Sequence, residues 1–145
     1  MRRILVPVDF TPRSRAALRY AIGLAQATGA ELQTLHVVPP PSDMLRRAQA
    51  YVGLPQSQVT AEVMAHADAE LDALISSVPH TCRIDKQVLA GDAASTVVQV
   101  ADDQAFDLVV LSAHPRGKLA TLVLGSVTHA VMTCARCPVL SIHPQ

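Results

Sequence analysis

Aromatic residues are almost missing from this sequence: tryptophan is absent, and two tyrosines with two phenylalanines make up 3% of the chain. The core must therefore be aliphatic, built from the Val, Leu, Ile and Ala of a chain that is 50% hydrophobic. Such a composition suits a buried parallel sheet. An excess of one charge is lacking too. Twelve Lys and Arg balance twelve Asp and Glu, with no basic stripe and no stacking aromatics, so the electrostatic footprint of a nucleic-acid binder is missing. Neutrality leaves little repulsion against self-association. No apolar run approaches the roughly 20 residues that cross a bilayer. The run in MRRILVPVDF is ended by Asp9 after five residues, too short for the core of a secretory signal. Three cysteines, Cys82, Cys134 and Cys137, are an odd number. A chain of 145 residues buries about two-thirds of its unfolded surface without staples, so free thiols fit a reducing compartment. These absences predict a cytoplasmic protein, one domain over residues 1–145, with neither nucleic acid nor membrane as a partner.

What is present alternates. ILVPV (4–8), AELQTLHVV (30–38), RIDKQVLA (83–90), FDLVVLS (106–112) and PVLSI (138–142) are short apolar or alternating runs that read as strands. Helical patterns lie between them. Thr11-Pro12 places a cap and a first-turn proline before SRAALRYAIGLAQAT, in which Ala17, Leu18, Ala21, Leu24 and Ala25 share a face and Gly29 ends the helix. A second helix is expected over Gln58 to Ser77 with Leu71, Leu74 and Ile75 inward, ended by Val78-Pro79. Asp92 caps a third, AASTVVQVADDQ, and Ser126 starts a fourth, VTHAVMTCA. Residues 44–56 are expected as the one long irregular connection. Strict alternation implies an α/β fold, a doubly wound parallel sheet with right-handed crossovers and helices on both faces. Ligands of such sheets bind beyond the carboxyl ends of the strands, where the strand order reverses. With the first strand central, residues 7 to 12, from Pro7, and the loop LSAHPRGKLATLVLGSV (111–127) line that crevice.

Several familiar motifs are missing from those places. A Walker A loop needs G-x-x-x-x-G-K-[ST], so that amides surround phosphate and the hydroxyl reaches magnesium. SAHPRGKL (112–119) matches only at Gly117 and Lys118, and Leu119 has no hydroxyl. No G-x-G-x-x-G follows a strand. A receiver domain would need a phosphorylatable Asp after the third strand, where Leu89-Ala90-Gly91 stands instead.

The remaining candidates each have a bland alternative. Asp9, the only carboxylate at the end of the first strand, either binds a ribose hydroxyl or a metal or merely shapes the turn. Gly125-Ser126 either presents free helix amides to an anion or is a plain N-cap. His114 alone of the six histidines lies in the loop, as a ligand contact or an exposed side chain. Cys134-Ala-Arg-Cys137 falls at a helix end before a strand, whereas a redox pair opens a helix, so packing thiols are expected and no metal site.

Four stretches together resemble the universal stress protein family over essentially the whole chain: ILVPVDFTPRSRAALRYAIGLA, AELQTLHVV, GDAASTVVQVADDQAFDLVVLS and LATLVLGSVTHAVMTCARCPVLSI. The resemblance implies a five-stranded parallel sheet in the order 3-2-1-4-5, of Rossmann-like, flavodoxin-like form, and a cytoplasmic homodimer. One branch of the family binds ATP through G-x2-G-x9-G-[S/T]; the other lacks the motif and does not. Here Ser112 and Pro115 take the first two glycine positions, while Gly125 and Ser126 match the last two. The resemblance places Asp9 near the nucleoside, the Val37 backbone at the adenine edge, and Gly125, Ser126 and Val127 at the phosphates. Arg116 with Lys118 adds positive charge to the loop beside Gly117, but Pro115 has no amide and a fixed φ.

The expectation is a stress-response regulatory homodimer with a degenerate, weak ATP-type crevice that would take ATP with magnesium if it takes any cofactor. It is expected not to be an enzyme, or at most a slow ATPase. The dimer would join through Val139, Leu140, Ser141 and Ile142, an apolar edge strand with unpaired backbone groups. Two other functions stay open: a genuine ATP-binding member with slow hydrolysis or phosphoryl transfer, and a nucleotide-independent module that meets a further, unidentified protein partner.

Overall fold

The computed structural model describes residues 1–42, 53, 55–113 and 126–143. In chain order these form β1 (Arg3–Pro7), α1 (Pro12–Thr28), β2 (Glu31–Val38), α2 (Gln56–Ser76), β3 (Ile84–Ala90), α3 (Ala93–Asp103), β4 (Leu108–Ser112), α4 (Ser126–Cys134) and β5 (Val139–Ile142). The five strands make one sheet in the order β3-β2-β1-β4-β5. Every neighbouring pair is parallel. The chain leaves central β1 toward β3, then returns past it to β5, so the reversal falls between β1 and β4. The expected α/β class and strand order are both observed.

Local chemistry accounts for the element ends. The Thr11 hydroxyl accepts from the Ser14 amide at 3.3 Å and Pro12 opens α1, where its missing N–H costs nothing. Gly29 closes the helix at φ 70°, its amide donating to the Ala25 carbonyl at 2.8 Å; a side chain would disfavour that left-handed geometry. Asp92 caps α3 by accepting from the Ser95 amide at 3.0 Å. That bond, and a second from the Ser95 hydroxyl, hold the Asp92 carboxyl below its ordinary pKa.

Several bounds shift by one or two residues from the sequence reading, β1 running Arg3–Pro7 rather than 4–8. α2 starts at Gln56, directly after Pro55, whose carbonyl accepts from the Gln58 amide at 3.0 Å. β4 starts at Leu108 rather than Phe106. Phe106 instead buries its ring beneath the Arg3 guanidinium, 4.4 Å from the ring centre, and the Asp107 carboxylate accepts from the amides of Arg2 and Arg3. β5 excludes Pro138, which has no N–H to donate, although its carbonyl accepts from Val109 at 3.0 Å. The irregular connection expected over 44–56 otherwise lies almost wholly outside the described residues.

Ile4, Leu5 and Val6 are all fully buried, as a central parallel strand covered on both faces requires. Alternate residues go to opposite sides. Ile4, Val6 and Val110 join a core with Leu18 and Ile22 of α1 and Leu71 and Leu74 of α2. Leu5, Val109 and Leu111 join a second core with Val97 and Val100 of α3 and Val131 of α4. Each such side chain contributes about 1.5 to 3 kcal/mol on burial. Inward Ala17, Leu18, Ala21, Ala25, Leu71 and Leu74 are buried as the periodicity predicts, with Leu24 and Ile75 packed at the margin.

Candidate functional site

A cavity of about 380 Å³ opens at the carboxyl ends of the central strands. β1 contributes Pro7 and, just after it, Val8 and Asp9. β2 contributes Leu35, His36 and Val37, and β4 contributes Leu111 and Ser112. Three helices begin at its rim, offering Arg13 from α1, Ala93 and Val97 from α3, and Ser126, Val127 and Thr128 from α4. The floor is aliphatic, because Leu35, Val97 and Leu111 are members of the second core. The rim is polar. Three helix N-termini bring the positive ends of their dipoles to one place, against Asp9 as the carboxylate among the described lining residues.

Asp9 shapes the turn after β1 and also lines the cavity. Its Oδ1 accepts from the Thr11 amide at 3.1 Å and from the Thr11 hydroxyl at 2.6 Å. The turn forces Phe10 to φ 61°, a left-handed conformation that costs a residue with a Cβ roughly 1 to 2 kcal/mol. Two contacts offset this. The Phe10 ring lies 4.2 Å from the His36 ring, and His36 Nδ1 is 2.8 Å from the Val8 carbonyl. A carbonyl can only accept, so Nδ1 carries the proton. The end of β1 is thereby fastened to β2.

The other wall is fastened by a buried hydroxyl. Thr128 is 3% exposed, and its Oγ1 donates to the Ser112 carbonyl at 3.2 Å. That bond ties the first turn of α4 to the end of β4, and so positions the amide ends of Ser126 and Val127 over the cavity.

Of the candidate nucleotide contacts, Pro7, Asp9, Val37, Ser112, Ser126 and Val127 are brought to one cavity. His114, Arg116, Gly117 and Gly125 lie outside the described residues, as do Pro115 and Lys118. Val8 and Leu111, inside the expected stretches 7–12 and 111–127, also line the cavity, whereas sequence reasoning missed Arg13, Leu35, His36, Ala93, Val97 and Thr128. A usable signal existed for the helical ones: in a doubly wound sheet every crossover helix starts at the carboxyl edge, so each first turn is a candidate.

The proposed edge, Val139 to Ile142, is indeed the outer strand beside β4, with all four residues half-buried. Cys134 is the exposed last residue of α4, while burial pushes the half-buried Cys137 thiol up, opposite to an activated thiolate. No cluster of three or more His, Cys, Asp or Glu that could hold a metal occurs among the described residues. Nor is any described helix long and apolar enough to cross a membrane.

The universal stress protein family model matches residues 1–143. The chain belongs to that family. A relative named as a universal stress protein, from Thermus aquaticus, is 32% identical over 142 residues, which cover 97% of this chain and 98% of the relative. A solved structure of a Methanocaldococcus jannaschii universal stress protein superposes with a TM-score of 0.71 at 21% identity, across 99% of this chain and 96% of that one. A universal stress protein in complex with cAMP gives 0.63 at 22% identity, across 98% and 96%. An Archaeoglobus fulgidus universal stress protein in complex with dAMP gives 0.61 at 18% identity, across 98% and 98%. These solved neighbours share the fold of this family member.

Proposed function

We propose that this family member is a stress-response regulator, one unit over residues 1–145, which dimerises through β5 and binds an adenine nucleotide weakly. The observation that carries the reading is the cavity itself. It joins an aliphatic floor, suited to a base, to the first turn of α4, suited to phosphate. Two solved structures of the same fold hold cAMP and dAMP. Asp9 would approach the ribose and the Val37 backbone the base, with Ser126 and Val127 at the phosphates. Magnesium, where it takes part, would come with the phosphates, Asp9 being the lining carboxylate within its chemistry. The nucleotide acts as a ligand rather than as fuel for rapid turnover.

Weakness follows from the loop sequence. Ser112 and Pro115 stand where two glycines would let backbone amides approach phosphate. Each lost charge-assisted hydrogen bond is worth roughly 1.5 to 3 kcal/mol, so two weaken binding by about two to four powers of ten. A magnesium-containing titration with ATP tests this. Restoring both glycines, Ser112→Gly with Pro115→Gly, should tighten binding at least about tenfold. A parent that binds ATP at low micromolar concentration, with no gain from the glycines, overturns the weak-site reading. Adenine nucleotide released on denaturing protein purified without added nucleotide would supply direct support for the ligand class.

β5 presents a short strand with no charged residue, whereas β3 at the opposite edge carries Asp85 and Lys86, side chains that discourage edge pairing. Sedimentation at micromolar concentration should therefore find dimers, and Val139→Pro should yield monomers. A parent that is already monomeric removes the interface.

A further inference from the structure

Arg13 is the one arginine or lysine among the described residues that line the cavity. Residue 13 lies in the first turn of α1, where the helix dipole favours acids, yet that turn contains none. Arg15 adds a second charge of the disfavoured sign in the same turn. No ion pair or hydrogen bond joins the Arg13 guanidinium to another described residue. The caps of α1 and α3, Thr11 and Asp92, are residues stability prefers. Arg13 is thus an exposed cation with no partner among the described residues, at an unfavourable helix position, on the rim of a cavity that the first turn of α4 also lines.

We infer that Arg13 is the specificity residue that makes this cavity select phosphorylated adenine ligands over the bare nucleoside. This rests on the nucleotide reading above. The guanidinium offers a planar fork of donors to two phosphate oxygens, in the same cavity that the first turn of α4 lines. A phosphate held between them neutralises the charge that α1 tolerates poorly in the empty protein. Two signatures follow together: removing Arg13 costs phosphate recognition and relieves the ligand-free fold.

Titrations of adenosine and AMP against the parent, Arg13→Ser, Arg13→Lys and the control Arg15→Ser test this, with melting curves of each protein without ligand. Arg15 occupies the same turn but does not line the cavity. The parent should bind AMP at least about tenfold more tightly than adenosine. Arg13→Ser should abolish that ratio without changing adenosine affinity, and Arg13→Lys should keep part of it. Both serine variants should melt roughly 1 to 3 °C higher than the parent, while Arg15→Ser keeps the parent's ratio. An unchanged ratio in Arg13→Ser overturns the inference and leaves the nucleotide site standing. A parent that binds adenosine and AMP equally does the same. A parent that binds neither at millimolar concentration overturns the nucleotide reading and the inference with it.

Discussion

The two faces of the sheet are covered by helices of very different length. On one side α1 and α2 run for 17 and 21 residues; on the other α3 and α4 run for 11 and 9. At about 1.5 Å per residue the long pair can span the strands from end to end, whereas α4 covers only about 13 Å. The first face is closed, with Leu18 and Leu71 fully buried. Among the described residues the second face has the shorter cover, and its buried Leu35, Val97 and Leu111 form the floor of the cavity. The same kind of residue thus seals the core on one side and lines a cavity on the other, according to what lies above it.

Removing mass from each face separates the two roles. The largest effect is expected for Leu71→Ala on the closed face, a loss of about 3 to 5 kcal/mol and a fall in Tm of roughly 10 °C or more. Nucleotide affinity, measured where the variant is still folded, should not change. A parallel loss of affinity would mean that the faces are coupled and the contrast is wrong.

Val97→Ala on the open face should cost less, about 1 to 2.5 kcal/mol, because the site already adjoins a cavity. It should also weaken nucleotide binding measurably in the same titration, since Val97 is part of the floor. Stability lost with affinity intact would show that the floor does not touch the ligand.

Thr128→Val keeps the shape of the side chain and deletes the donor to the Ser112 carbonyl. A melt should register about 1 kcal/mol, and AMP affinity should fall while adenosine affinity holds, because only the phosphate wall is loosened. Equal losses for both ligands would indicate a general collapse of the cavity instead.

The smallest effect is electrostatic. Amide bonds from Arg2 and Arg3 hold the Asp107 carboxyl below its ordinary pKa, and the Ser95 bonds do the same for Asp92. Both are accepted by the charged form, so the folded pKa lies below the unfolded one. Their contribution is complete above the ordinary carboxylate range and is lost as pH falls through it toward the folded values. The Tm gap between the parent and Asp107→Asn should therefore narrow on acidification below about pH 4. A gap independent of pH would assign the effect to packing.

Much of this was legible locally. Thr11-Pro12, Gly29 and Asp92 mark helix ends because capping depends on residues within a few positions of one another. Asp9, Ser112 and Ser126 were found because strand ends in a doubly wound sheet converge. Arg13, Val97 and Thr128 were not found. Each lies on a helix, and nothing in its own neighbourhood says that α1, α3 and α4 begin around one cavity.

Alternation of strand and helix, an aliphatic core and balanced charge were determined by the sequence alone, since periodicity and composition are properties of short windows. The tertiary structure decided which helix lies on which face and how far it reaches. It placed Phe10 in a left-handed turn against His36, and it brought Arg13 to the cavity that Ser126 also lines. The physical reason is distance along the chain. Arg13 and Ser126 are more than a hundred residues apart, and only the crossing of β1 and β4 side by side in the sheet puts their helices at the same edge.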